Sequence, residues 1–396
     1  MEYVNLDTLV WFQEGPGVRN YQYVDKGIKL INVTNLVNGQ LKLHLTSRYI
    51  SEEEAFGKYK HFLCDNGDLV IASSGITYET LGKKIAFVTE KDLPLCMNTS
   101  VIRFKPINHD VCIDYIYYFF KSEKYRNQIS KLMTGSAQLN YGPSHLHKVK
   151  IPYYDIVKQT KIADELKKID ENISICYRNI DNLDNIVKSQ FIEMFGDVLR
   201  NTKNFEMCCF GEYVNQMNIG PFGSDLKNED FVPEEEGYCM VYEQKHAIQK
   251  NIDLENRFVN EVKYNKLKRF DIGPGDIIVS CRGTIGECYI LPNDAPNGII
   301  HPSLMMIKPK NIVNNKFLVF LLEHILDEQT EQGSGVKMAI KATELSKIKT
   351  IKPEISLQDQ FIDFVQQNDK SKFIVQKQIK LLEELFEKKM NEYFGQ

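Results

Sequence analysis

The chain has 396 residues, which is enough for two or more domains of ordinary size. Hydrophobic residues make up 43% and charged residues 26%, no apolar run approaches the roughly 20 residues that span a bilayer, and no secretory pattern is readable, so we expect a cytoplasmic protein. The net charge of −4 excludes a generally basic surface, so any contact with nucleic acid has to come from local clusters of cations or from basic partner subunits.

The first half of the chain is predicted to be a mixed, strand-rich domain. A glycine–proline turn at residues 15–17 comes first, and residues 67–75 then indicate a turn, a buried strand and a second turn. Short strands follow at residues 84–88 and 100–106, before an apolar-striped helix over residues 113–132. Short strands with glycine-rich turns favour an α+β fold over a doubly wound parallel sheet.

A long helix follows the first domain. Its apolar residues alternate in steps of four and three residues, a spacing that keeps one narrow stripe facing a partner helix and predicts a coiled coil. Nine of the stripe's ten positions are apolar, the exception being Gln190; they are Ile162, Leu166, Ile169, Ile173, Cys176, Ile180, Leu183, Val187, Gln190 and Met194.

The second half repeats the elements of the first in the same order, which identifies an internal duplication. Residues 220–223 match the glycine–proline turn, residues 275–283 match the turn–strand–turn, and residues 303–309 match the third strand. A second apolar-striped helix and a second long helix end the chain. The last helix carries polar interruptions in its stripe, among them Asn368, which either sets the register of the coiled coil or frays it.

The duplication predicts four segments. These are a domain over residues 1–152, a central long helix over 153–197, a second domain over 198–353 and a final long helix over 354–396. We expect the two long helices to form an antiparallel coiled coil that separates the domains in a pseudo-two-fold arrangement. The alternative is that each helix packs on its own domain.

The sequence contains no recognisable catalytic site. Residues 75–84 resemble a phosphate-binding loop, but the glycine spacing is wrong and Lys84 stands where a Ser or Thr would bind magnesium. His145 and His147 are too few for a metal site, and adjacent Cys208 and Cys209 lack the spacing of zinc ligands. We therefore expect a non-catalytic chain without a metal or cofactor of its own.

This architecture resembles the specificity subunits of Type I restriction–modification systems, and the resemblance covers essentially the whole chain. It is carried by residues 219–224, 275–286 and 337–341 in the second half, and by residues 67–75 and 159–196 in the first. The first half departs from the pattern in two loops: Ser74 and Ile76 replace the residue types of Arg282 and Thr284, and residues 17–19 differ in type from residues 222–224. This departure leaves open which bases each domain prefers.

The resemblance implies that each globular part is a target-recognition domain for one half of an asymmetric, bipartite site in double-stranded DNA. It also implies docking of two modification subunits, which use S-adenosylmethionine, and of restriction subunits, which use ATP and magnesium. The paired helices would fix the gap between the half-sites, and DNA cleavage and methylation would belong to the partners.

Polar and basic residues in corresponding loops are the candidate DNA contacts. Arg282 has the geometry to bind guanine through two hydrogen bonds, side-chain amides pair with adenine edges, and lysines neutralise phosphates. The candidates in the first domain are Arg19, Ser73, Ser74, Thr77, Tyr78, Lys83, Gln138, Asn140, Tyr141 and Lys148. Those in the second domain are Ser224, Lys227, Tyr242, Gln244, Lys245, Ser280, Arg282, Thr284, Lys337 and Lys341.

Two other functions stay open at this point. The chain fits the specificity subunit of another type of restriction system with the same architecture, which only the partner genes would distinguish. It also fits a coiled-coil scaffold that binds protein and no DNA, for which the acidic net charge is favourable and the paired basic loops are not. A salt titration separates a DNA-binding specificity subunit from the protein-binding scaffold, because DNA affinity falls steeply with salt when several phosphates are bound.

Overall fold

The computed structural model describes residues 2–133, 140–331 and 341–395. These residues form two compact units, Met1–Arg178 with Val375–Gln396, and Asn179–Ile374. Each unit therefore contains one globular domain and a part of each long helix. This division differs from the four predicted segments because the helix residues pack against the domains.

The described residues of the first unit form short strands and α-helices. Its strands are β1 (Tyr3–Asn5), β2 (Val10–Glu14), β3 (Ile28–Ile31), β4 (Leu36–Val37), β5 (Gln40–Leu41), β6 (Tyr49–Ile50), β7 (Leu69–Ala72), β8 (Ile85–Phe87), β9 (Leu95–Met97), β10 (Val101–Pro106) and β11 (Lys150–Pro152). Its helices are α1 (Glu52–Phe56), α2 (Ile113–Lys121), α3 (Glu123–Leu132), α4 (Pro143–Leu146) and the start of α5 (Ile156–Phe195).

An antiparallel sheet in the order β2–β10–β7–β8 forms the centre of this unit. The four residues of β7 are all buried, as expected for a short continuous apolar run. Aromatic residues of α2 cover one face of the sheet, and the rings of Phe104 and Phe120 lie 4.7 Å apart. A second sheet, β6–β3–β9, contains the parallel pair β3 and β9.

The helix predicted over residues 113–132 is in fact two helices. Ser122 has extended backbone angles and ends α2, and its Oγ accepts a hydrogen bond from the Tyr125 backbone N–H (3.2 Å), which starts α3. The prediction of a continuous helix was wrong because the apolar stripe does not reveal a capping serine within it.

The second unit has the same kinds of elements. Its strands are β12 (Met207–Cys209), β13 (Val214–Ile219), β14 (Phe231–Val232), β15 (Cys239–Tyr242), β16 (Arg257–Val259), β17 (Asp271–Ile272), β18 (Ile277–Ser280), β19 (Cys288–Ile290), β20 (Gly298–Ile300), β21 (Leu304–Pro309) and β22 (Lys349–Ile351). Its helices are α6 (Gln244–Gln249), α7 (Glu261–Leu267), α8 (Asn315–Glu331), α9 (Ala342–Leu345) and α10 (Ile355–Phe394), the last of which continues into the first unit.

The strand order confirms the duplication and the α+β fold. The central sheet of the second unit, β13–β21–β18–β19, repeats β2–β10–β7–β8 strand for strand. The parallel pair β15 and β20 repeats β3 and β9, and the pair β12 and β22 repeats β1 and β11.

Segments of the two long helices pair antiparallel within each unit. In the first unit, Lys389 of α10 forms an ion pair with Glu165 of α5 (3.0 Å), and Tyr177 binds Glu383 (3.0 Å). In the second unit, Lys372 of α10 lies 2.6 Å from the carboxylate of Asp184. The predicted antiparallel coiled coil is therefore confirmed.

The same helices also contribute to the cores of the domains. Ile162 and Leu166 of α5 and Phe394 of α10 belong to the apolar core of the first unit. Phe191 of α5 and Phe361 of α10 belong to that of the second, with their rings 5.4 Å apart. Pairing with a partner helix and packing on a domain thus occur together. Among the described helices, none combines the length and apolar character needed to cross a bilayer.

Candidate nucleic-acid interface

Several connections of the first domain meet at one end of its central sheet. Strands β2 and β7 end where the antiparallel strand β10 begins, so the chain segments after β2 and β7 and before β10 lie side by side. The Gly15 N–H donates to Val101 O (2.9 Å), the Ser73 N–H donates to Ser100 O (2.9 Å), and the Tyr141 N–H donates to Ser73 O (2.8 Å). We call residues 15–22, 73–84, 98–100 and 140–142 the first loop edge.

The second domain brings the corresponding segments together in the same way. The Gly220 N–H donates to Leu304 O (2.8 Å), and the Cys281 N–H donates to Ser303 O (2.9 Å). The His301 N–H donates to Tyr242 O (2.8 Å), which adds the segment after β15. Residues 220–227, 243–246, 281–287 and 301–303 form the second loop edge.

The loops after β7 and β18 share a backbone conformation. Gly75 has a φ of 67° and Gly283 a φ of 66°, in the left-handed region that favours glycine. No atom lies within 4 Å of a Cβ built on Gly75, so the glycine is required for its backbone conformation and not for space. Corresponding loops of the two domains therefore turn in the same way while they carry different side chains.

Most predicted contacts of the first domain lie on the first loop edge. The side chains of Arg19, Lys83 and Asn140 are exposed, and those of Ser74 and Thr77 are partly exposed. Tyr78 is also exposed, and its hydroxyl donates to Asn127 Oδ1 (2.8 Å) while the Arg126 guanidinium lies over its ring. Gln138 lies outside the described residues.

Lys148 is not part of the first loop edge. It is exposed, but it follows His147, whose Nδ1 lies 2.7 Å from Asp7 Oδ2. Asp7 precedes the start of β2, at the opposite end of that strand from the loop edge. The structure therefore does not bring Lys148 together with the other candidates.

The predicted contacts of the second domain divide into exposed and paired residues. Ser224, Lys227, Arg282 and Thr284 are exposed on the second loop edge, and Lys227 lies 3.4 Å from Glu229. Lys341 precedes α9 and forms an ion pair with Glu344 (2.9 Å). Lys337 lies outside the described residues.

Four predicted contacts are buried, and the structure corrects their assignment. Ser73 is 1% exposed, Tyr141 4%, and Tyr242 and Ser280 are fully buried. Their hydroxyls bond within the protein: Tyr141 donates to Ala72 O (2.8 Å), Tyr242 to Pro296 O (2.5 Å) and Ser73 to Thr99 O (3.4 Å), while Ser280 Oγ accepts from the Glu287 N–H (2.9 Å). These side chains support the loops and do not reach a ligand at the surface.

Lys245 is held by a carboxylate and is not a free cation for a phosphate. Its Nζ lies 3.2 Å from Glu243, which also pairs with Arg257. Burial opposes ionisation of Glu243, but Arg257 and Lys245 outweigh it and lower the pKa of that carboxyl. The three charges therefore form one network, in which Glu243 and Lys245 belong to the second loop edge.

Two side-chain amides bond to the loops themselves. Asn140 Oδ1 accepts a hydrogen bond from the Gly75 N–H (3.0 Å) in the first domain. Gln244 Nε2 donates to the carbonyl oxygens of Thr284 (3.2 Å) and Arg282 in the second. Sequence reasoning identified both residues as candidates but not these intrachain partners.

Sequence reasoning missed the segments that lie between the loops. Residues 98–100 and 301–303 precede β10 and β21, and each contacts both neighbouring loops of its domain. Each segment lies directly before the third predicted strand of its repeat, and this position is the sequence feature that could have identified it as part of the surface. Phe222, 74% exposed beside Gly220, is a further residue of this surface that was not among the candidates.

A family model described as the Type I restriction modification DNA specificity domain matches the chain twice, over residues 19–184 and 230–384. Within the described residues, no group of three or more His, Cys, Asp or Glu side chains is arranged to hold a metal ion.

Two curated relatives come from Methanocaldococcus jannaschii. The Type I restriction enzyme MjaVIII specificity subunit is 27% identical over 44% of this chain, and the match spans 40% of that relative's length. The putative type I restriction enzyme MjaX specificity subunit is 24% identical over 78% of this chain and 72% of its own length. Because this chain matches less than half the length of the MjaVIII subunit, the activity of that whole protein is not assigned to this chain.

A solved structure has the same fold over nearly the whole chain. It comes from a study of complex assembly and conformational transition of the type I R-M system. The match covers 99% of this chain and 97% of the other, with a TM-score of 0.64 and 14% sequence identity.

Proposed function

Because the chain belongs to the family of the Type I restriction modification DNA specificity domain, we propose that it selects the DNA sequence on which a restriction–modification complex acts. The observation that carries this proposal is the pair of loop edges. The same strand order exposes corresponding loops in each domain, while the side chains on those loops differ. A common scaffold with different polar side chains is what recognition of two different half-sites requires.

In this proposal the first loop edge reads one half-site. Ser74, Thr77 and Tyr78 supply hydroxyl groups for base edges or phosphates, and the exposed Arg19 and Lys83 neutralise phosphates. Phosphate contacts fix the position of the domain on DNA, and base contacts specify the sequence.

The second loop edge reads the other half-site. Arg282 is exposed on the loop after β18, where a guanidinium can form two hydrogen bonds with O6 and N7 of a guanine in the major groove. Thr284 and Ser224 supply further hydroxyl groups, and Lys227 contributes to phosphate binding. Because the two edges carry different residues, the target is asymmetric and bipartite.

The long helices would set the number of base pairs between the half-sites. Helices α5 and α10 have 40 residues each, about 60 Å at 1.5 Å per residue. Half-sites on one face of B-DNA lie roughly 34 Å apart for one helical turn, a distance within the reach of such helices.

The partners in this proposal are two modification subunits and the restriction subunits of the complex. S-adenosylmethionine, ATP and magnesium would be bound by those partners, which would methylate adenine, translocate DNA and cut it. Both helices carry exposed apolar residues that suit docking, among them Tyr177 and Leu381 in the first unit, and Ile186 and Ile374 in the second.

The test is a genome-wide map of methylated adenine in the source organism with this gene intact and deleted. We expect deletion to abolish methylation at one gapped, asymmetric motif, which would also identify the target. An unchanged map, with an active modification subunit present in the cell, would contradict the proposal.

A protein-binding scaffold is the second candidate, and the acidic net charge of −4 favours it. Binding of the assembled complex to DNA of the mapped motif separates the two. A specificity subunit loses affinity steeply with increasing salt because lysine and arginine release counterions from the phosphates they bind. A scaffold shows no binding above that of the partner subunits alone.

A further inference from the structure

We propose that Asn140 and Gln244 are positioning residues, each of which holds the recognition loop of its own domain in the shape that reads DNA. This inference rests on the proposed function. It departs from the sequence-based expectation that the two amides pair with adenine edges themselves.

The partners determine which end of each amide is used. The Gly75 N–H is a donor, so Asn140 must present Oδ1 to it (3.0 Å). The oxygens of Arg282 and Thr284 are acceptors, so Gln244 must present Nε2 to them. The two domains thus use side-chain amides of opposite hydrogen-bonding polarity at corresponding loops.

Both side-chain amides bind the loop at or next to its left-handed glycine. Asn140 binds Gly75 directly, and Gln244 binds the residues on both sides of Gly283. A glycine has more backbone freedom than any other residue, so a loop that turns at a glycine needs contacts elsewhere to hold one conformation. The bond to Arg282 O fixes the backbone from which the Arg282 side chain extends.

Each amide is itself held by a buried neighbour. Tyr141, the residue after Asn140, is buried, donates its N–H to Ser73 O (2.8 Å) and donates its hydroxyl to Ala72 O (2.8 Å). The position of Asn140 is therefore tied to the end of β7, from which the loop begins.

In the second domain, His246 holds Gln244 in place as Tyr141 holds Asn140 in the first. It is fully buried, its Nδ1 accepts the Glu243 N–H (2.7 Å), and its Nε2 lies 2.9 Å from Asn256 Oδ1. Because Nδ1 accepts the Glu243 N–H it carries no proton, so the ring is neutral with its proton on Nε2, and burial, which lowers the pKa of His246, favours this form. These bonds hold the first turn of α6, and with it Gln244.

The two positioning residues come from unrelated places in the repeat. Asn140 follows Gly75 by 65 residues, whereas Gln244 precedes Arg282 by 38. Since each contact lies within one domain, a change at one residue should alter the reading of one half-site only.

The experiment measures methylation by the full chain assembled with its modification subunits. DNA libraries are randomised at one base pair at a time in each half-site, and the ratio of cognate to mismatched methylation is determined for Asn140→Ala, Asn140→Asp, Gln244→Ala and Gln244→Glu. If both residues position their loops, Asn140→Asp should preserve the discrimination between cognate and mismatched DNA, and Gln244→Glu should lose it.

Asn140→Asp should keep the ratio near that of the unchanged chain, because a carboxylate oxygen still accepts the Gly75 N–H. Asn140→Ala should lower the ratio about tenfold in the first half-site alone, within the range that one mismatched base pair costs. Added negative charge at residue 140 weakens binding to all sequences equally and leaves the ratio unchanged.

Gln244→Glu should lower the ratio in the second half-site as much as Gln244→Ala does, because a carboxylate cannot donate to the carbonyls of Arg282 and Thr284. Loss of discrimination in Asn140→Asp equal to that in Asn140→Ala would overturn the inference for Asn140. Normal discrimination in Gln244→Glu would overturn it for Gln244.

Two variants at the other end of the strands are matched controls. Asn108 Oδ1 accepts a backbone N–H from Asp110 (2.9 Å) beyond the end of β10, and Asn215 Nδ2 donates to Pro309 O (3.1 Å) at the end of β21. Asn108→Ala and Asn215→Ala remove bonds of the same two polarities away from the loop edges. They should leave both ratios unchanged, and a change equal to that of the loop variants would overturn the inference.

The outcome also separates this inference from the proposed function. If the unchanged chain confers no sequence preference on its modification subunits, the proposed function fails. If it does, and the four variants do not follow the pattern above, only the positioning role fails.

Discussion

The side-chain amide of Asn368 in α10 donates a hydrogen bond to the backbone carbonyl of Leu183 in α5, with 3.1 Å between Nδ2 and the oxygen. Asn368 is 7% exposed and is one of the polar residues that interrupt the apolar stripe of α10. The sequence left open whether this residue sets the register of the helix pair or frays it. The bond across the pair supports the first alternative, because only one alignment of the helices places the amide opposite that carbonyl.

Asn368→Asp should therefore lower the free energy of unfolding by about 2 kcal/mol near neutral pH, because a buried carboxylate cannot donate to the Leu183 oxygen. Urea unfolding followed by circular dichroism measures the change. Gln367→Glu, which makes the same change at an exposed neighbour, is the control. Equal stability of the two variants would show that the bond does not contribute.

Gly75→Ala and Gly283→Ala should each cost about 1 kcal/mol of stability, because the left-handed backbone at these positions strains any residue with a Cβ. Gly17 and Gly223 provide controls, since a Cβ on either meets no atom within 4 Å and neither has a positive φ. Thermal unfolding of the four variants tests the prediction. A loss in the control variants as large as in the loop variants would contradict it.

Stability should depend on pH through Glu323 in α8. Burial raises the pKa of this carboxyl above its ordinary value of 4.5, although Lys250 opposes the shift. As the pH rises, Glu323 ionises at a lower pH in the unfolded chain than in the folded protein. The stability that its protonated form contributes is therefore complete below pH 4.5 and is lost as the pH rises from there through the raised pKa of the folded state.

The difference in free energy of unfolding between the unchanged chain and Glu323→Gln should thus favour the unchanged chain more at pH 4 than at pH 7. Denaturant titrations at both pH values provide the measurement, with Glu344→Gln at an exposed carboxyl as control. A difference that is the same at both pH values would refute the assignment.

Exchange of residues 198–353 for the corresponding domain of another family member should change one half of the recognised sequence and leave the other half intact. The physical reason is that all contacts of the second loop edge described above lie within that segment. Methylation mapping of the hybrid reads both halves at once. A hybrid that changes both halves would show that the domains do not read DNA independently.

Removal of one heptad from each of α5 and α10 should shorten the gap between the half-sites by about 3 base pairs, because seven helical residues span about 10.5 Å and a base pair about 3.4 Å. The bases of both half-sites should stay the same. An unchanged gap in the methylation map would refute the role of the helices in spacing.

The duplication, the α+β class and the coiled-coil stripe were all predictable from the sequence. Each depends on a pattern that is local or periodic: the buried runs of β7 and β18 are continuous apolar segments bounded by glycine turns, and the stripe of α5 follows a strict four–three spacing. Such patterns do not depend on tertiary contacts, so they can be recognised in the sequence alone. The break at Ser122 escaped, because one capping side chain outweighed an apolar stripe that continues past it.

The hydrogen-bond partners of the polar loop residues, in contrast, became known from the fold and could not be predicted from the sequence. Ser73 and Ser280 stand at the ends of buried strands, and whether such a side chain points outwards depends on how the next loop folds back over it. Asn140 and Tyr141 are neighbours, yet one is exposed and the other is buried, because the partner atoms come from Gly75 and Ala72, far away along the chain. Residue type shows that a side chain can form hydrogen bonds, but the partner depends on contacts between distant segments, which no local pattern records.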